Sequence, residues 1–299
     1  MESAEFIWMD GEYVPWDEAK VHCINHTMHY GGGAFEGIRF YKTAKGPAVF
    51  RLKEHMKRLL YSAGVMEMDC GYSVEDWVNM TVELIAKNKI KEGYVRPMIY
   101  LGYGKMGINP VGATVNCLNA CWGWGSYLGH EAVDVAISKY MRIHPKTTVQ
   151  DAKITGHYSN SILASLALKE SGAHEALFLD YEGNVAEGPG ENVFLVKEGV
   201  LKTPGPGCIL PGLTRDAVMT IARDKGYEVQ EETLTKEDFY EADEAFFTGT
   251  AAEITPFASL DGRKYGDGKP GPISSELKEA FMKVVKGEDP KYEHYLTYV

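Results

Sequence analysis

The chain has 299 residues, of which 44% are hydrophobic and 24% charged, and a formal net charge of −11. This composition is typical of a folded globular protein and excludes a disordered or fibrous chain. The acidic balance argues against a nucleic-acid partner and against a polybasic membrane contact. Because no signal peptide, spanning run or paired cysteine motif is recognisable, a reduced, cytoplasmic protein is expected.

The first half of the chain alternates strand and helix patterns. FIWMDGEYVP predicts a hairpin that turns at Asp10-Gly11, and FEGIRFYKTAKGPAVFRL predicts a second hairpin. Apolar residues at helical spacing follow from Leu52 onward. A second helix is expected after Ser73, with Asp76 as its capping-box partner, and YVRPMIYLG and ATVNCLNACW are typical of strands.

The second half follows a segment rich in glycine and aromatic residues, 122–130, which we interpret as an interdomain connection. A strand is expected over VDVAISKYM and a helix from about Ser159 to Ser171. Further strands are expected at ALFLD, NVAEG, NVFLV, VLKTP, EAFFTG and ITPFASLDG, with helices after Gly212 and around Leu277. This order predicts an α+β fold rather than a regular βαβ series.

Two patterns suggest other chemistry and are not favoured. Gly102–Gly107 matches GxGxxG, the mark of a nicotinamide-dependent dehydrogenase, but the following Pro110 and Gly112 oppose the helix that this fingerprint requires. The histidines between His22 and His29 run directly into three glycines and have no second ligand cluster. We therefore expect structural histidines and no metal site.

Four separated segments carry residue types that suit one cofactor chemistry. Lys153 lies in a mostly uncharged run, and a lysine removed from water can attack a carbonyl as a neutral amine. EGPGEN places Glu187 where a carboxylate could hold a protonated ring nitrogen. LPGLTRD leads into a helix start that suits a phosphate, and GTAAEITP ends a strand in small residues whose backbone N–H groups could meet an anion. Each segment also has an ordinary structural explanation when taken alone.

Taken in order, these segments resemble the class IV pyridoxal 5′-phosphate (PLP) enzymes, and specifically the branched-chain amino acid aminotransferases. The matching pieces are HYGGGAFEGIR, EHMKRL, GYVRP, WGSYLG, EGPGEN, LPGLTRD and GTAAEITP. The resemblance runs from Trp8 to about Pro272. It implies transamination between leucine, isoleucine or valine and 2-oxoglutarate, which gives branched 2-oxo acids and L-glutamate.

The resemblance implies a role for each residue that meets the cofactor. Lys153 would form the Schiff base with PLP and move the proton between the substrate Cα and the cofactor. Glu187 would pair with the pyridinium nitrogen, and Tyr158 would hydrogen-bond the ring hydroxyl. The phosphate would be held by Arg58, Leu213, Thr214 and Thr250.

The resemblance also implies a pocket for the substrate. Its expected lining consists of Tyr30, Phe35, Gly37, Arg39, Tyr94, Trp124 and Tyr127, with Tyr30 reaching in from a second subunit. Arg96 would meet the γ-carboxylate of glutamate yet stay apart from a leucine side chain. The turn of Thr250, Ala251 and Ala252 would face the substrate α-carboxylate.

The implied architecture is the fold type IV PLP enzyme, an α+β fold with two domains. A small α/β domain is expected over 1–121, an interdomain loop over 122–131, and a larger, barrel-like α/β domain that binds PLP over 132–299. At least a homodimer is expected, with amino acids and 2-oxo acids as the small-molecule partners.

Three related reactions remain as alternatives, namely a D-amino acid transaminase, an R-amine transaminase and an aminodeoxychorismate lyase. FEGIR and YVRP favour the branched-chain type. One departure concerns HYGGGAFEG, whose third glycine and Ala34 differ from the family's more usual polar residues and valine. We expect this change to loosen the strand entrance and enlarge the pocket.

Overall fold

The computed structural model describes residues 3–124 and 129–299, and their helices and strands follow a mixed order. The strands are β1 (Phe6–Met9), β2 (Glu12–Pro15), β3 (Gly33–Phe35), β4 (Ile38–Thr43), β5 (Gly46–Phe50), β6 (Gly93–Leu101), β7 (Val115–Trp122), β8 (Val133–Ile137), β9 (Glu175–Leu177), β10 (Asn192–Lys197), β11 (Val200–Pro204), β12 (Val229–Glu232), β13 (Glu244–Gly249), β14 (Glu253–Leu260), β15 (Arg263–Lys264) and β16 (Leu296–Tyr298). The α-helices are α1 (His26–Tyr30), α2 (Leu52–Val65), α3 (Val74–Asn88), α4 (Tyr158–Ala167), α5 (Leu213–Asp224), α6 (Lys236–Tyr240) and α7 (Pro272–Val285). The expected α+β fold is therefore confirmed.

The chain divides into two compact units. The first unit comprises Met1–Gly125, Ala152–His157 and Lys283–Val299, and the second comprises Ser126–Asp151 and Tyr158–Met282. Compared with the expected domains of 1–121 and 132–299, two segments of the larger expected domain, 152–157 and 283–299, belong to the first unit, and the expected loop of 122–131 is divided after residue 125. Both segments join the first unit for a physical reason: β16 pairs with β5, and backbone hydrogen bonds fix the chain around Lys153 to residues 31–35.

The first unit is built on one eight-stranded sheet. Its order is β16-β5-β4-β6-β7-β1-β2, with β3 also pairing with β6, and the pairs are antiparallel. The register sets Arg39 opposite Tyr94 and Tyr94 opposite Trp122, so three neighbouring strands present these side chains in a row. Because alternate residues of a strand share a face, Arg96 follows Tyr94 on the same face.

The core of the first unit lies under α2 and α3. Both helices contribute fully buried apolar side chains, among them Met56 and Trp77, which join Phe40 of the sheet. The expected capping box is confirmed, because Ser73 Oγ accepts from Asp76 N–H and the Asp76 carboxylate accepts from Ser73 N–H. The capping box defines the N-terminus of α3, which packs against β1 and β7.

The second unit contains another eight-stranded sheet, of mixed direction. Its order is β12-β11-β10-β13-β14-β8-β9, with β15 on β14, and the parallel pairs are β11·β12, β8·β14 and β8·β9. The register sets Asn192 opposite Thr248. The EGPGEN turn and the GTAA turn therefore lie at the same end of neighbouring strands, where two of the predicted site segments meet.

Some elements differ from the sequence expectations in length or presence. The helix expected over about 159–171 runs from Tyr158 to Ala167 and continues as a 3-10 turn over Leu168–Glu170. The short elements α1, β3, β12 and α6 were not predicted, because three to five residues give too short a periodic signal. Among the described residues, no helix has the length and hydropathy that a membrane span requires.

Candidate active site

Lys153 is held in the first unit by its backbone. Its N–H donates to Ser62 Oγ at 2.8 Å, and its carbonyl accepts from Phe35 N–H at 3.1 Å. Ile154 also forms an isolated antiparallel bridge with Ala34. The lysine is therefore attached to the FEGIR segment although the two lie far apart in the sequence.

Two glycines of HYGGG lie very close to neighbouring atoms, and Gly31 does so against the segment that follows Lys153. Gly31 has a φ of +72°, and a Cβ there would lie 2.8 Å from Gly156 Cα. A Cβ on Gly33 would lie 2.9 Å from Met98 Cε and 3.0 Å from Thr27 Cγ2. The atoms that a Cβ on Gly33 would meet belong to side chains, so the expectation that this third glycine loosens the strand entrance stays a prediction.

Phe35 connects Lys153 with Arg96. The Lys153 Nζ lies 5.3 Å from the centroid of the Phe35 ring, and Arg96 Cζ lies 5.0 Å from the same centroid. Arg96 also lies 5.4 Å from the Tyr94 ring centroid, and its buried Nε has no hydrogen-bond partner among the described residues. Since a buried donor without a partner is costly, Arg96 is suited to receive an anionic ligand.

A cluster of rings stands beside Arg96. Tyr94 lies 5.3 Å from Trp122 and 4.5 Å from Trp124, measured between ring centroids, and Arg39 donates to the Trp124 carbonyl. Gly37 is buried against Tyr94, with room for no side chain. Six of the expected substrate residues are thus brought together within the first unit: Phe35, Gly37, Arg39, Tyr94, Arg96 and Trp124.

Arg58 is anchored by a buried carboxylate that the sequence analysis missed. Its Nε donates to Glu36 Oε1 at 2.6 Å and its Nη2 to Glu36 Oε2 at 2.9 Å, while His55 Nδ1 lies 2.8 Å from Oε2. Glu36 is fully buried, which alone would raise its pKa, but Arg58 and then His55 hold the pKa well below its usual range. Burial lowers the pKa of His55, which indicates a neutral ring that donates to the carboxylate.

In the second unit, the carboxylate of Glu187 is buried and accepts hydrogen bonds from Arg142, Asn192 and Leu210. Arg142 Nε donates to Oε1 at 2.6 Å, and Asn192 Nδ2 and the Leu210 N–H donate to Oε2 at 2.9 and 3.0 Å. Asn192 Nδ2 also donates to the Leu210 carbonyl. This network ties the EGPGEN turn to the start of LPGLTRD.

The other carboxylate of EGPGEN has a different environment. Glu191 Oε2 accepts from the Gly190 N–H at 3.0 Å, and its backbone carbonyl accepts from Gly188 N–H at 2.7 Å. Glu191 therefore stabilises the turn itself. Arg142 favours the ionised form of Glu187, which suits this carboxylate to a charged ring nitrogen.

The start of α5 has the features of an anion site. Gly212 is the N-cap and supplies no side-chain hydrogen bond. The first N–H groups of an α-helix, here those of Leu213 and Thr214, have no acceptor within the helix and therefore suit an anion. A Cβ on Gly212 would lie 1.9 Å from Asn192 Oδ1. Only glycine therefore fits where the helix begins beside the Glu187 network.

The remaining expected residues lie at turns and helix ends. Thr250, Ala251 and Ala252 form the turn between β13 and β14, and the Ala252 carbonyl accepts from Thr255 Oγ1. Tyr158 is the first residue of α4, and Tyr30 ends α1 with 43% of its surface exposed. Tyr127 lies outside the described residues.

The two unfavoured patterns are accounted for by the structure. After Gly107 the chain continues without a helix to β7, so the dinucleotide fingerprint lacks its required context. His26 Nε2 lies 2.9 Å from the Gly107 carbonyl, and His29 Nε2 lies 3.0 Å from the Cys23 carbonyl. These rings contact backbone, and no group of three potential metal ligands occurs within 3–124 and 129–299.

Sequence reasoning missed five residues of these clusters: Glu36, His55, Trp122, Arg142 and Asn192. Two signals could have found some of them. Glu36 is an acid in an otherwise apolar strand region, and His55 precedes Arg58 by three residues, which places both on one helix face. Arg142 carried no local signal.

The chain is similar to known proteins along nearly its whole length. The sequence profile of the family described as "Amino-transferase class IV" matches residues 33–260. The chain is 42% identical over 297 residues to the branched-chain-amino-acid aminotransferase of Pseudomonas aeruginosa, with 98% of this chain and 97% of that protein covered. Two crystal structures of the T.th. branched-chain amino acid aminotransferase, complexed with N-(5′-phosphopyridoxyl)-L-glutamate and with 4-methylvaleric acid, match with TM-scores of 0.96 and 0.95. Their identities are 43% and 42%, and each match covers 100% of this chain and 99% of that chain.

Proposed function

Because the chain belongs to the class IV aminotransferase family, a family of PLP-dependent enzymes, we propose that it exchanges amino groups between L-branched-chain amino acids and 2-oxoglutarate. One observation carries the choice of substrates: the aromatic cluster around Tyr94 adjoins Arg96, whose buried Nε has no hydrogen-bond partner in the described part of the chain. The rings suit an aliphatic side chain, and the guanidinium suits a second carboxylate.

The two complexes of the T.th. relative support this pair of substrates. One contains a phosphopyridoxyl derivative of L-glutamate, and the other contains 4-methylvaleric acid, a branched aliphatic acid. A single pocket that accepts both must offer an apolar wall and a cation that the aliphatic substrate avoids. Phe35, Tyr94 and Arg96 supply these two surfaces.

Lys153 and Arg58 suit two different parts of PLP, the reactive carbon and the phosphate. When bound, PLP supplies an electron sink for the electrons left at the substrate Cα. Lys153 attaches the cofactor and then moves the proton at the substrate Cα. Arg58 binds the cofactor phosphate, and Glu36 fixes the direction of its guanidinium through two hydrogen bonds.

The residues of the second unit fit the ring and the phosphate. Glu187 pairs with the ring nitrogen and Tyr158 with the ring hydroxyl. The N–H groups of Leu213 and Thr214 bind phosphate oxygens at the start of α5, together with Thr250. The turn of Thr250, Ala251 and Ala252 binds the substrate α-carboxylate.

We propose further that the enzyme is at least a homodimer whose partner covers the exposed face of α1. Met28 and Ile108 are 62% and 80% exposed, and a bridge from Asn25 to Tyr103 holds their two segments together. Exposed large hydrophobic side chains are concentrated in these two segments, 21–30 and 103–111, as expected for a protein–protein contact. A second copy there buries these side chains and allows Tyr30 to reach the neighbour's substrate pocket.

A donor screen at fixed 2-oxoglutarate tests the reaction. L-Leucine, L-isoleucine and L-valine are expected to yield L-glutamate, whereas D-alanine and an R-amine are not. Lys153→Ala should keep the fold, measured by circular dichroism, and lose transamination. Turnover of D-alanine without leucine turnover would overturn the proposed substrate, and an active Lys153→Ala variant would overturn the proposed role of the lysine.

Size-exclusion chromatography with light scattering tests the assembly. The wild-type chain is expected to elute as a dimer or a larger oligomer, and Ile108→Glu is expected to weaken that assembly. A monomeric wild-type protein with full activity would contradict the proposed contribution of Tyr30.

A further inference from the structure

Arg142 contacts Glu187 from a part of the chain that no recognised motif covers. The guanidinium and the carboxylate are both nearly inaccessible, at 8% and 5% residue exposure, and Nε lies 2.6 Å from Oε1. The other carboxylate oxygen, Oε2, accepts hydrogen bonds from two uncharged donors, Asn192 Nδ2 and the Leu210 N–H. Arg142 is thus a charged donor to Glu187, whereas these two donors are neutral.

The two kinds of donor have different physical consequences. Burial favours the protonated, neutral form of a carboxyl group, whereas a neighbouring guanidinium, which does not deprotonate in proteins, favours the carboxylate. The amide donors from Asn192 and Leu210 can orient Oε2 whether or not Arg142 is charged. Orientation and ionisation of Glu187 are therefore separable in this network.

We propose that Arg142 is a positioning residue that keeps Glu187 ionised, so that the proton shared between Glu187 and the cofactor remains on the ring nitrogen. This inference rests on the proposed function, since it concerns PLP. With the proton on nitrogen, the ring is cationic and withdraws electrons from the substrate Cα. Without Arg142, the proton moves to the buried carboxyl group, and the neutral ring becomes a weaker electron sink.

The Cys208 thiol interacts electrostatically with Arg142. Burial and then the Asp180 carboxylate raise the pKa of the Cys208 thiol, and the Arg142 guanidinium acts against both. Cys208 is therefore a neutral neighbour of the pair at pH 7, and Cys208→Ser serves as a check that this thiol does not contribute to the titration.

The chain offers a matched control in Arg215. It is a buried arginine of the same unit, and its Nη2 donates to Glu231 Oε2 at 2.7 Å and to the Pro204 carbonyl at 2.8 Å. Arg215→Gln removes a buried guanidinium from a carboxylate just as Arg142→Gln does, but at a site without the ring nitrogen. Loss of stability is expected in both variants, whereas the effect on the cofactor is expected only in Arg142→Gln.

The experiment compares wild type, Arg142→Gln, Arg142→Lys and Arg215→Gln by three measurements. Thermal melting of the apoprotein reports the fold, fluorescence titration with PLP gives the dissociation constant, and the pH midpoint of the visible band reports the charge on the ring. Arg142→Gln should weaken PLP binding about tenfold and raise the midpoint by about one pH unit, because a neutral ring withdraws fewer electrons. Arg142→Lys should restore most of both values, and Arg215→Gln should change neither.

A measurement on the wild-type holoenzyme tests the proposal even if the Arg142 variants do not fold. With ¹⁵N-labelled PLP, the nitrogen chemical shift should report a protonated ring nitrogen from pH 6 to 9. A deprotonated nitrogen at pH 7, or an unchanged midpoint in a folded Arg142→Gln holoenzyme, would overturn the role of Arg142. If the wild-type protein takes up no PLP at all, the proposed function fails instead, so the two failures are distinguishable.

Discussion

Gly37 lies so close to Tyr94 that a methyl group on residue 37 would be 1.8 Å from the Tyr94 hydroxyl oxygen. Tyr94 is itself buried between Trp122 and Trp124. The absence of a side chain at position 37 thus allows the Tyr94 ring to take its position in the aromatic cluster. The glycine of FEGIR is required by space, because its φ lies outside the left-handed region.

Replacement of this glycine should damage the pocket more than the fold. In Gly37→Ala the Tyr94 ring must move, and we expect kcat/KM for leucine to fall at least about tenfold, with a loss of roughly 1–3 kcal/mol in unfolding free energy. Steady-state kinetics and urea denaturation measure both quantities. Gly64→Ala is the control, because Gly64 lies in α2 with no atom within 4 Å of an added Cβ. Equal kinetics in the two variants would contradict this account.

The Glu36–Arg58 pair should stabilise the protein in a pH-dependent way. Glu36→Gln leaves the Arg58 guanidinium buried without its carboxylate, which costs about 3–5 kcal/mol at pH 7. Because the pKa of Glu36 is lowered in the folded state, its contribution is complete above its unfolded value of about 4.3 and declines as the pH falls below it. The stability difference between wild type and variant, measured by urea unfolding, should therefore shrink below about pH 4.

Glu54→Gln provides a comparison on α2. Glu54 pairs with Arg51 at 2.8 Å, but its side chain is 34% exposed. The expected cost is below about 1 kcal/mol. A Glu36→Gln variant no less stable than Glu54→Gln would show that Arg58 does not depend on Glu36.

Arg96→Leu should separate the two half-reactions. Loss of the guanidinium should raise KM for 2-oxoglutarate by roughly 10- to 100-fold, which corresponds to about 1.5–3 kcal/mol for a hydrogen bond to a charged group. The leucine half-reaction, followed by stopped-flow absorbance, should change far less. Arg263→Leu removes an arginine that stacks on Tyr240 at 4.2 Å and should alter neither half-reaction. Equal losses in both half-reactions of Arg96→Leu would remove the proposed selectivity.

Cys70 should be a reactive thiol at neutral pH. A hydrogen bond from Cys117 lowers the pKa of Cys70 to about 6, although burial acts in the opposite direction. Site-resolved mass spectrometry after iodoacetamide treatment should give an alkylation midpoint near pH 6, with Cys208 slower at pH 7 because burial raises its pKa. Cys117→Ala should move the Cys70 midpoint upward. A Cys70 midpoint above pH 8 in the wild type would refute the prediction.

Local chemistry made much of the fold predictable. The capping box at Ser73, the hairpin at Asp10-Gly11 and the start of α5 after Gly212 were confirmed, since each depends on residues within a few positions of one another. The family, the PLP dependence and the fold type IV architecture are also confirmed by the comparisons. The cytoplasmic location, the barrel-like closure and the oligomeric state stay predictions.

The sequence by itself determined which chemical groups the protein has and in what order they occur. Lys153, the carboxylates of EGPGEN and the helix start after Gly212 are recognisable from the sequence, because each belongs to a short motif of neighbouring residues. Only the tertiary structure decided which partners control them: Glu36 holds Arg58 across 22 positions, Arg142 pairs with Glu187 across 45, and Phe35 N–H fixes the Lys153 carbonyl. The physical reason is that a buried charge or backbone group must find a complementary group wherever the packed chain brings one, and sequence separation does not encode that choice.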